Sequence, residues 1–195
     1  MLGDARGCCS CGGPGDRLCA SCVDDLSPPL ADEPIRGVAR VVAPWAYDAG
    51  PRALILDLKL RDQQAAARPL IDGMTRALLR VGTSAQTITW VPGRRADIKR
   101  RGFDHAHVLA LGVACTTGLS PVALLARVGD QVDQAGLRRA ERLANLRNAF
   151  RATACSGTIL LVDDLVTTGA TAAACAAALR AGGARRIELL VACRA

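Results

Sequence analysis

The chain has 195 residues, half of them apolar but only 3% aromatic, and a net charge of +7. That length and composition suit one aliphatic-cored domain with a small appendage, and they exclude a disordered or fibrous chain. No apolar run approaches the roughly 18 residues of a membrane span. The opening MLGDARGCCS has an early acid and lacks the apolar stretch of a secretion signal. The expectation is a cytoplasmic protein with no membrane insertion.

In a reducing compartment, clustered cysteines are metal ligands more often than disulfide partners. Five of the nine cysteines fall between positions 8 and 22. Cys8-x2-Cys11 and Cys19-x2-Cys22 form two knuckles, and each can place two thiolates on one tetrahedral Zn²⁺ at about 2.3 Å. Gly12 suits the tight turn. The segment is too short to fold on an apolar core, so a structural zinc would supply its folding energy. Cys9 could compete with Cys8. Redox chemistry is the alternative, but it would need a βαβ context absent here. The remaining Cys115, Cys155, Cys175 and Cys193 read as ordinary buried small residues.

After Cys22, the stretch DDLSPPLADEP reads as a linker, which sets a boundary between residues 1–34 and 35–195. Val38 to Tyr47 looks like a strand, with Pro44 favouring a sheet edge. Pro51 opens a short helix through Leu60. Gln64 to Val81 has helical apolar spacing at Leu70, Met74, Ala77, Leu78 and Val81. Thr87 to Val91 reads as a strand, Phe103 to Cys115 as a helix and Pro121 to Val128 as a weak strand. Gly136 to Phe150 is an Arg-rich helix candidate.

Ile159 to Val162 is a buried strand of four aliphatics. Thr171 to Ala181 is a helix stopped by Gly182-Gly183, and Ile187 to Cys193 is the last strand. Strands alternating with helices predict a parallel α/β sheet flanked by helices. Positive charge is concentrated in residues 90–151, where the net is +6, a field suited to pyrophosphates or nucleic acid.

The segment Ile159 to Thr171, ILLVDDLVTTGAT, carries the sharpest chemistry. In open parallel sheets, ligands bind beyond the carboxyl ends of the strands. There, Asp163 and Asp164 can accept hydrogen bonds from a cis-diol. Val166, Thr167, Thr168, Gly169, Ala170 and Thr171 lead into a helix whose free amides and dipole suit a phosphate. One phosphate cradle beside one diol acceptor describes a ribose 5-phosphate. Mg²⁺ binding by the acids alone, or a plain threonine helix cap, are the simpler alternatives.

All thirteen positions resemble the phosphoribosyl pyrophosphate signature of type I phosphoribosyltransferases. With the four-cysteine N-terminus, YDAGPRALILDLKLRD, RRGFDHA at 100–106 and RRAERLANLRNAF at 138–150, nearly the whole chain is similar to the ComF family, competence-associated and amidophosphoribosyltransferase-like proteins. The resemblance implies a type I phosphoribosyltransferase-like fold with a small N-terminal zinc ribbon or knuckle. Asp163 and Asp164 would hold the ribose hydroxyls, directly or through Mg²⁺ waters, and Val166 to Thr171 would wrap the 5-phosphate. Val91 to Arg101 would be the pyrophosphate loop, charged by Arg94, Arg95, Arg100 and Arg101. Arg127 to Gln134 would be a mobile loop closing over the site.

The chain departs from the family at Gly93-Arg94, in place of a second Val-Pro, and at Asp104-His105, in place of Asn-Gln. His105 and His107 alone read as surface residues. The implied activity is Mg²⁺-dependent transfer of phosphoribosyl to an unidentified acceptor. The alternative is a non-catalytic phosphoribosyl pyrophosphate sensor that binds single-stranded DNA. A homo-oligomer is left open.

Overall fold

The computed structural model describes residues 7–8, 11–13, 18–29, 33–60, 66–128 and 149–195. The central sheet contains β1 (Arg40–Val42), β2 (Trp45–Ala46), β3 (Thr87–Trp90), β4 (Ser120–Pro121), β7 (Thr158–Val166) and β8 (Arg186–Arg194). Its order is β1-β8-β7-β3-β4, with β2 continuing alongside β8, and every pairing is parallel. Helices α2 (Ala49–Leu60), α3 (Ala67–Val81) and α5 (His105–Thr117) pack on one face. The other face carries α6 (Ala170–Ala181) and an antiparallel ribbon of β5 (Leu125–Arg127) and β6 (Phe150–Ala152). The α/β expectation of a parallel sheet flanked by helices holds.

The period of two along a strand explains how β7 serves both faces. Leu160 and Val162 join the cluster under α2, α3 and α5, whereas Ile159 and Leu161 join the cluster under α6. All four are at most 1% exposed, and burial of each side chain is worth about 1.5–3 kcal/mol. Gly73 allows α3 to approach the sheet edge, because a Cβ there would lie 2.2 Å from the Trp45 ring. The four-cysteine segment, with α1 (Ala20–Asp24), is docked on this core: Cys8, Leu18 and Cys22 are buried in the same cluster as Trp45, Leu54 and Met74. A backbone bond from Ala46 N–H to Ser27 O ties the following segment to β2.

At the amino end of the sheet, the Glu188 carboxylate is enclosed by positive and donor groups. Arg40 approaches at 2.8 Å, Arg186 at 3.2 Å, and Thr83 Oγ1 donates at 2.7 Å. Burial opposes its charge, but these donors prevail and hold its pKa below the ordinary range.

Several boundaries differ from the sequence reading. The strand expected over Val38 to Tyr47 is two short ones, interrupted at Ala43-Pro44, and its edge position is as expected. Val81 ends α3 at 49% exposure, outside the buried stripe. The supposed pyrophosphate loop contains a helix, α4 (Arg95–Arg101). Pro121 to Val128 divides between two sheets, because Val122 to Leu124 leaves the parallel sheet for the ribbon. Phe150 belongs to β6, not to an Arg-rich helix. Gly136 to Asn148 of that helix candidate, Gly129 to Gln134 of the proposed mobile loop, Gln64 and Cys9 lie outside the described residues. No described helix is long and apolar enough to cross a membrane.

Candidate functional site

Strand β7 runs past the predicted end at Val162 to Val166, so both aspartates lie within it. Alternation turns them to opposite faces. Asp163 is half-buried and lines a small pocket of about 60 Å³ with Val166, Thr167, Thr168, Gly169 and Thr171. Asp164 is 2% exposed and faces the α2–α5 side. There its Oδ2 meets Lys59 Nζ of α2 at 2.6 Å and His105 Nε2 of α5 at 3.1 Å. Both contacts favour the ionised carboxylate, His105 first and Lys59 next. On its far side His105 Nδ1 lies 3.3 Å from Arg101.

The two carboxylates therefore have opposite electrostatics. Burial and the adjacent Asp164 charge push Asp163 up to about 7, despite an N–H bond donated by Asp164 at 2.9 Å. Asp164 is more deeply buried, yet His105 and Lys59 overcome that cost and hold it below the ordinary carboxylate range. Asp164 is neutralised internally. Asp163 faces the pocket without a comparable counter-charge.

The turn between β7 and α6 depends on Gly169. Its φ is +71°, and a Cβ would meet Ile35 at 2.8 Å, so a larger residue faces both strain and a clash. Gly169 O accepts from Ala173 N–H, leaving the amides of Ala170 to Ala172 without helical acceptors. Thr168 Oγ1 accepts a long 3.4 Å bond from Ala170 N–H. Thr167 and Thr168 are exposed, while Val166, also in the pocket lining, is buried in the core cluster under α6.

The arginine segment follows β3, one of the two neighbours of β7. Arg94, Arg95 and Arg100 are exposed, and Arg100 pairs with Asp97 at 2.9 Å within α4. Arg101 is the member that turns inward, to His105. The family departures acquire a physical role here. Asp104 accepts from Gly93 N–H at 2.9 Å and caps α5 through Ala106 N–H at 3.2 Å, pinning the turn after β3. His105 is the Asp164 partner, and His107 stacks on Trp90 with centroids 4.1 Å apart, so neither reads correctly as a surface residue.

Lys59 and His105 are the site-forming residues the sequence reading left without a role. One signal was present: Lys59 is one of only two lysines, standing in the otherwise apolar stretch ALILDLKL. Arg127 is held over the Phe150 ring at 4.7 Å, with its Nε 3.4 Å from Pro92 O.

In the N-terminal knuckles, the sulfurs of Cys8, Cys11, Cys19 and Cys22 all lie within 4.8 Å of one another. Cys11 and Cys19 are 3.9 Å apart, near the separation that tetrahedral thiolates around a common ion require. Gly13 N–H points at Cys11 Sγ and Cys19 N–H at Cys8 Sγ, each at 3.4 Å, donors that stabilise thiolates. Bonds from Ser21 and Cys22 lower the Cys19 pKa. The four soft donors fit a metal ion. Elsewhere, burial raises the thiol pKa of Cys175 and pushes that of Cys193 up to about 12, in keeping with inert packing. Cys115, by contrast, is exposed.

No protein-family model matches the chain, and no curated protein is significantly similar to it. Among solved structures it is similar to one described as the allosteric regulatory enzyme of purine biosynthesis, with a TM-score of 0.43 and 20% identity. The alignment covers 64% of this chain and 25% of that enzyme.

Proposed function

We propose that the protein is a phosphoribosyltransferase of the ComF type that binds phosphoribosyl pyrophosphate at the β7–α6 turn. The observation that carries this reading is the pocket itself, with a carboxylate and a positive-φ glycine turn on one small cavity at the carboxyl end of a parallel strand. The ribose 5-phosphate would sit on the amides of Thr168 to Ala172, and Asp163 would accept from the ribose hydroxyls. Asp164, tied to Lys59 and His105, would support this arrangement from behind. Arg94, Arg95, Arg100 and Arg101 would present positive charge to the pyrophosphate from the β3 side.

Asp163 is a hard oxygen donor grouped with Asp164 and His105, their ligand atoms within 4.8 Å of one another, which suits Mg²⁺ bound together with the substrate. When bound, Mg²⁺ would offset charge on the departing pyrophosphate. The protein's own part is to fix the sugar phosphate, position the ring hydroxyls and surround the leaving group with arginines, so that the oxocarbenium-like transition state needs no protein nucleophile. Residues 35–195 would form this domain, and residues 1–34 a structural module held by zinc on Cys8, Cys11, Cys19 and Cys22.

The test is calorimetric titration of phosphoribosyl pyrophosphate with Mg²⁺ into the full chain. Saturable binding lost in Asp163→Asn supports the reading, and undiminished binding in that variant contradicts it. The exposed Arg94, Arg95, Lys99 and Arg100 around α4 favour one second reading, a sensor that holds single-stranded DNA. An oligonucleotide affinity that does not change with salt would eliminate it.

A further inference from the structure

The β7–α6 turn is not held by its own chemistry. Gly169 has φ +71° there, and a glycine populates negative φ about as readily. The Ile35 side chain covers it, with Cγ1 and Cδ1 so close that a Cβ on Gly169 would meet them at 2.8 and 2.9 Å. Ile35 is 9% exposed and packs in the same cluster as Val166 and Ala172, which flank the turn.

Ile35 is itself fixed from both sides. Downstream, Val38 N–H donates to Ile35 O at 3.0 Å, and Arg180 of α6 donates to Gly37 O at 3.4 Å. Upstream, the Arg194 guanidinium donates to Glu33 O. Arg194 is only 8% exposed, and a buried guanidinium is unfavourable unless its donors are satisfied, so its partners decide where it sits.

A lateral row of backbones connects this clamp to the cysteines. Ser27, shortly after Cys22, accepts from Ala46 N–H at 2.9 Å. Ala46 is level with Arg194 across β2 and β8, and Arg194 is level with Val166 across β8 and β7. Val166 leads directly into Thr167 and the turn. The row begins on an anchored segment, because Cys8, Leu18 and Cys22 are buried in one cluster with Trp45, the neighbour of Ala46 in β2.

We propose that the four-cysteine segment braces the donor turn, so that zinc at the cysteines and phosphoribosyl pyrophosphate at the turn are energetically coupled. Zinc fixes Ser27, and through Ala46, Arg194 and Glu33 it holds Ile35 against Gly169. Ile35 and Arg194 are positioning residues in this scheme. The inference rests on the phosphoribosyltransferase reading and adds a control of the same site. The cysteine segment depends on its metal for order, so metal loss frees the upstream end of the brace. Gly169 then regains its freedom, and the amides of the turn are no longer aligned for a phosphate. Such coupling is reciprocal: the factor by which zinc tightens donor binding is the factor by which donor tightens zinc.

The experiment measures the zinc affinity of the full chain by competition with a chromogenic chelator, with and without saturating phosphoribosyl pyrophosphate and Mg²⁺. Calorimetry gives the donor affinity of the zinc-loaded protein in parallel. In the wild type, donor should tighten zinc by about fivefold or more. Ile35→Ala should keep its zinc, raise the donor Kd about tenfold or more, and reduce the donor effect on zinc to below about twofold. Ile35→Val, which keeps both branches at Cβ, should stay within about threefold of the wild-type donor Kd. Arg194→Met, which keeps an apolar stem, removes the clamp on Glu33 and should lose the coupling as Ile35→Ala does.

Zinc affinity indifferent to donor in the wild type, or coupling that survives in Ile35→Ala and Arg194→Met, would overturn the brace and leave the donor site standing. A donor Kd unmoved in Ile35→Ala, a loss as large in Ile35→Val, or a wild type that binds no zinc would do the same. Absence of donor binding in the zinc-loaded wild type would instead sink the phosphoribosyltransferase reading, and this proposal with it.

Discussion

At the amino end of the sheet, one buried carboxylate, Glu188, is met by two arginines and a threonine hydroxyl. At the carboxyl end, two adjacent carboxylates have one lysine and one histidine beside them, and both make their close contacts to Asp164. The first arrangement is electrostatically closed and its acid has a lowered pKa; the second leaves Asp163 raised to about 7. A residue placed only for stability is not left in that state, since burying an uncompensated charge costs free energy. On the proposed reading the ligand belongs at the carboxyl end, and Glu188 does structural work at the other.

The largest effect that could break this contrast belongs to Asp163. Asp163→Asn should weaken calorimetric binding of Mg²⁺ and phosphoribosyl pyrophosphate by roughly 100-fold or more, about 3 kcal/mol. The same substitution should stabilise the ligand-free protein above pH 7. Between its ordinary 3.8 and about 7, folded Asp163 binds more protons than unfolded, so its contribution to stability falls as pH rises through that window. Thermal melts at pH 5 and pH 8 check the sign: the variant should gain at pH 8 and gain little at pH 5.

Glu188→Ala should do the reverse, costing about 3 kcal/mol of stability by leaving Arg40 and Arg186 uncompensated, with ligand affinity unchanged. Because the Glu188 pKa is lowered, its contribution is present above the ordinary carboxylate range and is lost as pH falls. Urea melts of wild type and variant at pH 7 and pH 4 should converge at the acid end.

Gly169→Ala tests the turn. Strain at φ +71° and contact with Ile35 should together cost about 1–2 kcal/mol in denaturant melts, with at least a tenfold loss of phosphoribosyl pyrophosphate affinity. Smallest at the pocket is Lys59→Met, which leaves Asp164 with His105 alone. It should weaken donor binding by about tenfold, and a larger loss than that of Asp163→Asn would invert the assigned roles. Away from both ends, elemental analysis should find one zinc per chain, lost in Cys11→Ser.

Much of this architecture was legible in sequence because it depends on local patterns. Four aliphatics in a row identified β7, Gly182-Gly183 marked the end of α6, and two CxxC pairs foretold the sulfur cluster. The division between the aspartates was not legible, because Lys59, His105 and Asp164 are brought together from α2, α5 and β7 only by the packing of helices on the sheet. Seven residues with three cations in the last turn made α4 look like a charged loop, since no buried residue on it gave a helical stripe. A cavity of about 480 Å³ was equally hidden: its walls come from the segment after Cys22, the end of β2, the β7–α6 turn and the end of β8.

The central claim is that Asp163 faces a ligand and Glu188 does not. Calorimetry of phosphoribosyl pyrophosphate with Mg²⁺ against wild type, Asp163→Asn and Glu188→Gln tests it most directly. The account predicts saturable binding in wild type, binding within about twofold in Glu188→Gln, and a loss of roughly 100-fold in Asp163→Asn. Equal affinity in wild type and Asp163→Asn, or a greater loss in Glu188→Gln, would contradict it.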